Sequence, residues 1–151
     1  MPDQPEPRRF ISYPSRQVLA VIDDDAAAAA AVEALRAAGV APADVVVLRG
    51  PDGAARLDGA GTEHGWSARL RRLFAFTLMD QLPDFVLYER AVRDGRTVVA
   101  VRAADETRKR AVHAVLRAHG AHFTNYYGRL ATEELDLWRG PEPDIPGVLR
   151  R

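Results

Sequence analysis

One local pattern occurs twice in this chain, and it limits the possible folds more than any other feature. A short β-branched apolar run is followed by acidic residues, a helical stretch, a glycine and a second run. The first copy starts at QVLAVI (17–22) and passes through Asp23, Asp24 and Asp25 into an alanine tract carrying Val32 and Leu35. It stops at Gly39 and resumes as DVVVL (44–48). The second starts at TVVAV (97–101), opens a helix at Asp105 or Thr107 with Val112, Val115 and Leu116, and stops at Gly120. It ends in a strand over 121–126. Short apolar runs rich in β-branched residues read as strands. Aspartate suits a helix N-cap, and glycine suits the position just past a helix end. Two β-α-β halves of this kind predict an α+β domain of the ferredoxin-like, split β-α-β class. Two helices on one sheet face would leave the other bare, so the pattern predicts a homodimer built through that face.

The halves are separated by a long insert. Gly50, Pro51, Gly53, Gly59, Gly61 and Gly65 make 49–65 mostly loop. Trp66, Leu70, Leu73, Phe74, Thr77 and Leu78 then recur at helical spacing. Pro83 breaks that helix, and a second one is expected over 84–93, closed by Gly95. The helical insert therefore spans about 62–94 within a single domain at 17–135. Residues 1–16 (Pro2, Pro5, Pro7, Pro14) read as a flexible arm, and the Pro/Gly-rich 136–151 as a flexible tail.

Composition removes several classes of function. At 151 residues, 47% hydrophobic and 28% charged, the chain is globular and has room for one domain. Lys plus Arg and Asp plus Glu are 21 each, so no overall field draws it to nucleic acid. Arg69, Arg71 and Arg72 lie off the apolar stripe and read as a solvated helix face rather than a nucleic-acid site. The absence of cysteine excludes disulfides, thiolate metal sites and a Cys nucleophile. No apolar run approaches membrane-spanning length, and the first residues lack a secretory apolar core, so a cytoplasmic location is expected. Lys109 is the one lysine, and the Arg/Ala skew suits a GC-rich bacterial genome.

Familiar catalytic signatures, among them HExxH, GxGxxG and GxxxxGK[ST], are missing. VLAVIDDD ahead of a helix is similar to the acidic pocket of two-component receivers. That chemistry needs an acceptor Asp at the end of a middle strand and a Lys at the end of the last one. Here FVLYE offers Glu89 in the first place, and Lys109 falls inside a helix. Helix capping is the simpler account of the triplet. Among four histidines, His113 reads as solvated and His119 as a cation in the last turn of its helix. His119 and His122 straddle Gly120 at a spacing compatible with one metal ion, a weak candidate without further ligands nearby in sequence. The stretch GAHFTNYYGR (120–129) is the densest in functional side chains. Strand alternation sends His122, Thr124 and Tyr126 to one face, and Phe123, Asn125 and Tyr127 to the other. Such a strand is either an aromatic edge or one wall of a small-molecule pocket. His64, in a loop before the amphipathic helix, could meet His122 or Tyr127 across it. The candidate ligand-binding residues are thus His64, Glu89, His122, Tyr126, Tyr127 and Arg129.

The frame VLAVIDDDAAAAAAVEALRAAGV with VVVLRGPDGAARLD, and later VVAVRAADETRKRAVHAVLRAHGAHFTNYYGR, resembles small bacterial domains related to general stress protein 17M. The likeness covers roughly 17–135. It implies a ferredoxin-like fold and an association with stress, and carries no substrate, cofactor or catalytic residue. The glycine-rich apolar segment often found between the halves of those domains is replaced here by the helix over 66–81, which argues against a membrane role. The functional expectation is a non-catalytic protein, a homodimer in stress or regulation, that binds a small molecule or a partner. The alternative is an enzyme or a haem- or metal-binding protein of the dimeric α+β barrel type, using His122 or His64.

Overall fold

The computed structural model describes residues 16–51, 53, 82–128 and 131–141. Its strands are β1 (Gln17–Ile22), β2 (Val45–Leu48), β3 (Thr97–Arg102), β4 (His122–Tyr127) and β5 (Thr132–Asp136). Its helices are α1 (Asp25–Ala37), α2 (Leu82–Arg93) and α3 (Glu106–Ala118). One antiparallel sheet runs in the order β2-β3-β1-β4-β5, with β1 at its centre. The first four of these strands are compatible with a ferredoxin-like α+β fold, and β5 extends the sheet along the free edge of β4. Among the described residues no helix is long and apolar enough to cross a membrane. The expected helix over 66–81 lies outside the described residues.

The helix boundaries follow local chemistry. The Asp24 carboxylate accepts the Ala27 N–H at 3.0 Å, and Asp105 accepts the Arg108 N–H at 2.7 Å. Both helices turn out of helical geometry at a glycine with positive φ, Gly39 at 91° and Gly120 at 80°. The next residue, Val40 or Ala121, then donates back to the carbonyl of Leu35 or Leu116. The aspartate triplet divides its work: Asp24 caps α1, Asp25 accepts the Thr97 hydroxyl at 3.0 Å, and Asp23 points to β4.

Two apolar layers sandwich the sheet. On one face Val18, Ala20, Ile22, Val99 and Val101 pack against Ala28, Ala31 and Leu35 of α1 and Val112 and Leu116 of α3. On the other, Leu19, Val21, Val98, Ala100 and Tyr127 pack against Val86, Leu87, Tyr88, Ala91 and Val92 of α2. The second face is therefore not bare, and it does not offer the open surface expected for dimerisation. The physical reason is visible in β1 and β3, which are apolar at odd and even positions alike. A strand alternates when one side is wet and reads as a continuous apolar run when both are covered.

β5 is held from below as well as from the side. Lys109 on α3 reaches Glu133 at 2.5 Å and Glu106 at 2.7 Å, with its ammonium 5.2 Å from the centre of the Tyr126 ring. One turn on, His113 meets Asp136 at 2.7 Å. His113 is thus paired rather than simply solvated.

Candidate functional site

The site is organised by an irregularity in β4. The β1–β4 register pairs Leu19 with Asn125 and Val21 with His122, so β4 carries one extra residue opposite Ala20. The β4–β5 register slips at the same place, between Thr124 and Asn125. Phe123 sits in this bulge at φ 44°, a left-handed conformation that costs an aromatic residue energy.

A bulge reverses the facing of every residue beyond it. Cross-strand partners share a face, so His122, opposite Val21, lies on the α2 side with Asn125 and Tyr127. This corrects the simple alternation, which separates His122 from those two residues. Tyr126 keeps to the α1/α3 side, where its hydroxyl donates to the Ala103 carbonyl at 3.0 Å. The hydroxyl of Thr124 is buried and has no hydrogen-bond partner among the described residues.

The bulge interrupts the ladder, and α2 supplies what the ladder lacks. The Tyr88 hydroxyl lies 3.1 Å from the Leu19 carbonyl and 2.9 Å from the Phe123 carbonyl, and it accepts from the Asn125 side-chain amide at 2.9 Å. Buried carbonyls rarely go unpaired, and one phenol serves both strands here. Its ring packs on Phe123 at 4.9 Å between centroids and on Tyr127 at 6.5 Å. Tyr127 is fully buried and its hydroxyl donates to Asp84, in the first turn of α2, at 3.4 Å. Burial pushes the Tyr88 phenol far above its ordinary 10.0, and burial followed by the charge of its neighbours does the same to Tyr127.

His122 forms the other side of the site. It is 2% exposed and both ring nitrogens are engaged. The Arg139 backbone N–H donates to Nδ1 at 3.1 Å. That leaves the ring proton on Nε2, donated to Asp23 Oδ1 at 2.8 Å. Arg96 Nε donates to the same carboxylate oxygen at 3.0 Å and its guanidinium lies 5.5 Å from the Trp138 ring centre. Trp138 closes the cluster, edge-on to His122 at 4.8 Å and tilted against Phe123 at 5.7 Å.

Of the residues expected at a site, His122 and Tyr127 come together on the α2 face, and Tyr126 lies on the opposite one. Glu89, on α2, accepts from Arg93 one turn on at 3.0 Å. His64 and Arg129 lie outside the described residues. His119 caps α3 with its ring nitrogen 2.8 Å from the Val115 carbonyl, and among the described residues no group of three or more metal-ligating side chains forms. Tyr88, Arg96, Trp138 and Arg139 are not among the expected residues, and Asp23, expected to cap a helix with the rest of its triplet, binds His122 instead. Tyr88 had a signal, since it shares one helix stripe with Ala91 and Val92, one residue from the chosen Glu89. The rest meet only through tertiary contacts, with 99 residues separating Asp23 from His122. No protein-family model matches the chain, and no curated protein and no solved structure is significantly similar to it.

Proposed function

We propose that the chain is a non-catalytic, partner-binding protein that works as a homodimer in the stress or regulatory role its resemblance implies. The observation that carries the non-catalytic part is the state of His122. A general base or a metal ligand needs a free lone pair, and while residues 137–141 are in place the one on Nδ1 is taken by the Arg139 N–H. Nor do Tyr88 and Tyr127 supply a phenolate, because burial keeps both protonated. A partner suits the molecule better than a small ligand. His122, Asn125 and Tyr127, three members of the expected pocket wall, are buried and spent on internal hydrogen bonds.

The two sheet edges differ in a way that favours a second copy as the partner. β5 carries Glu133, Glu134 and Asp136, charges that blunt an edge. β2 is VVVL, three of its residues half-buried, and among the described residues no strand pairs with its outer side. Two such edges pair antiparallel about a two-fold axis and close the assembly.

Native mass spectrometry, absorbance and metal analysis of the purified chain test both parts. The expected species is a dimer without a Soret band or stoichiometric metal, converted to a folded monomer by Val47→Lys. A monomer at all concentrations refutes the dimer. Haem or metal at one per chain, lost in His122→Gln, refutes the non-catalytic reading.

A further inference from the structure

Residues 137–141 follow β5 and continue alongside the start of β4, where four contacts to residues 121–123 fasten them. The Phe123 N–H donates to the Leu137 carbonyl at 2.9 Å. The Trp138 ring packs on His122 and Phe123. The Arg139 guanidinium donates to the Ala121 carbonyl, and the Arg139 N–H donates to His122 Nδ1. Three of these are indifferent to pH near neutrality. The fourth exists only while Nδ1 keeps its lone pair, and histidine is the side chain that ordinarily gains a proton in that range.

We propose that His122 is a proton-operated latch: neutral, it holds residues 137–141 against the bulge of β4, and protonated, it releases them. A proton on Nδ1 turns the acceptor into a donor facing another donor, the Arg139 N–H. One of the two must leave. The charged groups around the ring decide which. Asp23, from the turn between β1 and α1, already accepts from Nε2 at 2.8 Å, and its hold on the ring strengthens once the ring is cationic. Arg96, from the turn between α2 and β3, shares that carboxylate at 3.0 Å and leans on Trp138. Its positive charge opposes a second cation close by, and Asp94 lies 3.8 Å from it on the other side. Arg139 itself brings a third positive charge, on the segment that carries the competing N–H. The ring is therefore retained by Asp23 while the segment carrying Arg139 departs. Phe123 adds to the tendency, since its left-handed backbone is held partly by the Leu137 carbonyl and relaxes when that contact opens.

The latch deepens nothing in the dimer proposal and stands without it, because none of its contacts lies on β2. Its test is hydrogen exchange, expressed as protection factors so that the intrinsic pH dependence drops out, from about pH 8 to about pH 5. Protection of the Arg139 and Phe123 amides is expected to fall by about five- to ten-fold, the worth of one hydrogen bond, on the acid side. Amides of β1 and β3 should hold theirs. His122→Gln, which cannot take the proton, should show a flat profile, and Asp23→Asn should move the release to lower pH by weakening the cationic ring. Should His122→Gln fail to fold, nitrogen chemical shifts of the wild-type ring provide the same link, since Nδ1 must titrate together with the loss of protection. Constant protection in the wild type overturns the proposal. So does an unchanged pH profile in His122→Gln, or release that does not track Nδ1.

Discussion

Phe123 shows how one residue sets the geometry of its surroundings. Its left-handed φ of 44° turns His122 to the α2 face and leaves the Phe123 and Leu19 carbonyls for Tyr88. A side chain in that region costs about 1–2 kcal/mol, which glycine does not incur. Replacing Phe123 by Ala or by Gly removes the same ring packing, so the pair isolates the backbone cost. Phe123→Gly is expected to be more stable than Phe123→Ala by about 1 kcal/mol in urea denaturation, the reverse of the usual order inside a strand. An alanine variant as stable as the glycine one would mean that the bulge carries no strain.

At the scale of elements, β5 depends on α3. Lys109 is nearly buried, yet it bridges Glu133 on β5 and Glu106 on its own helix. Hydrogen bonds to Glu106 first and Glu133 second raise its pKa above the ordinary 10.5 against the opposing effect of burial. A raised value means that the folded state holds the proton more tightly. The pairing therefore contributes fully below pH 10.5 and fades as pH rises through the folded value. The Lys109→Met variant is expected to lose amide protection across β5 while β1 and β3 keep theirs. Its melting-temperature deficit against wild type should shrink above the ordinary lysine value. A deficit that persists unchanged in alkali would assign the effect to packing of the lysine stem instead.

For the whole molecule, the phenol pair beneath α2 predicts the manner of alkaline unfolding. Tyr88 and Tyr127 are both pushed above 10.0 in the folded state, Tyr88 chiefly by burial. An unfolded chain releases those protons near pH 10, so stability declines as pH rises beyond that value toward the folded pKa values. Absorbance of phenolate is expected to rise in two stages. The later stage, that of Tyr88 and Tyr127, should coincide with the loss of near-ultraviolet circular dichroism. Ionisation of Tyr88 and Tyr127 with the fold intact would show that water reaches the Tyr88 network.

The amino-acid sequence alone determines the elements that depend on neighbours in the chain. Asp24 and Asp105 start their helices and Gly39 and Gly120 end theirs, because caps act over three or four residues. It also contained more than the duplicated frame suggested: QVLAVI and TVVAV, apolar on both sides, already required a covered second face. Three things were decided only in three dimensions. β5, with its TEELD sequence, has no strand signal of its own and exists by pairing with β4 and by the reach of Lys109 and His113. The bulge at Phe123 needs a tyrosine 35 residues away to satisfy its carbonyl. His122 is set by Asp23, nearly a hundred residues before it, and by Arg139 after it. Local propensity acts over a turn of chain. The burial of polar groups is settled by whatever packing brings to them, and that is where the character of this site was fixed.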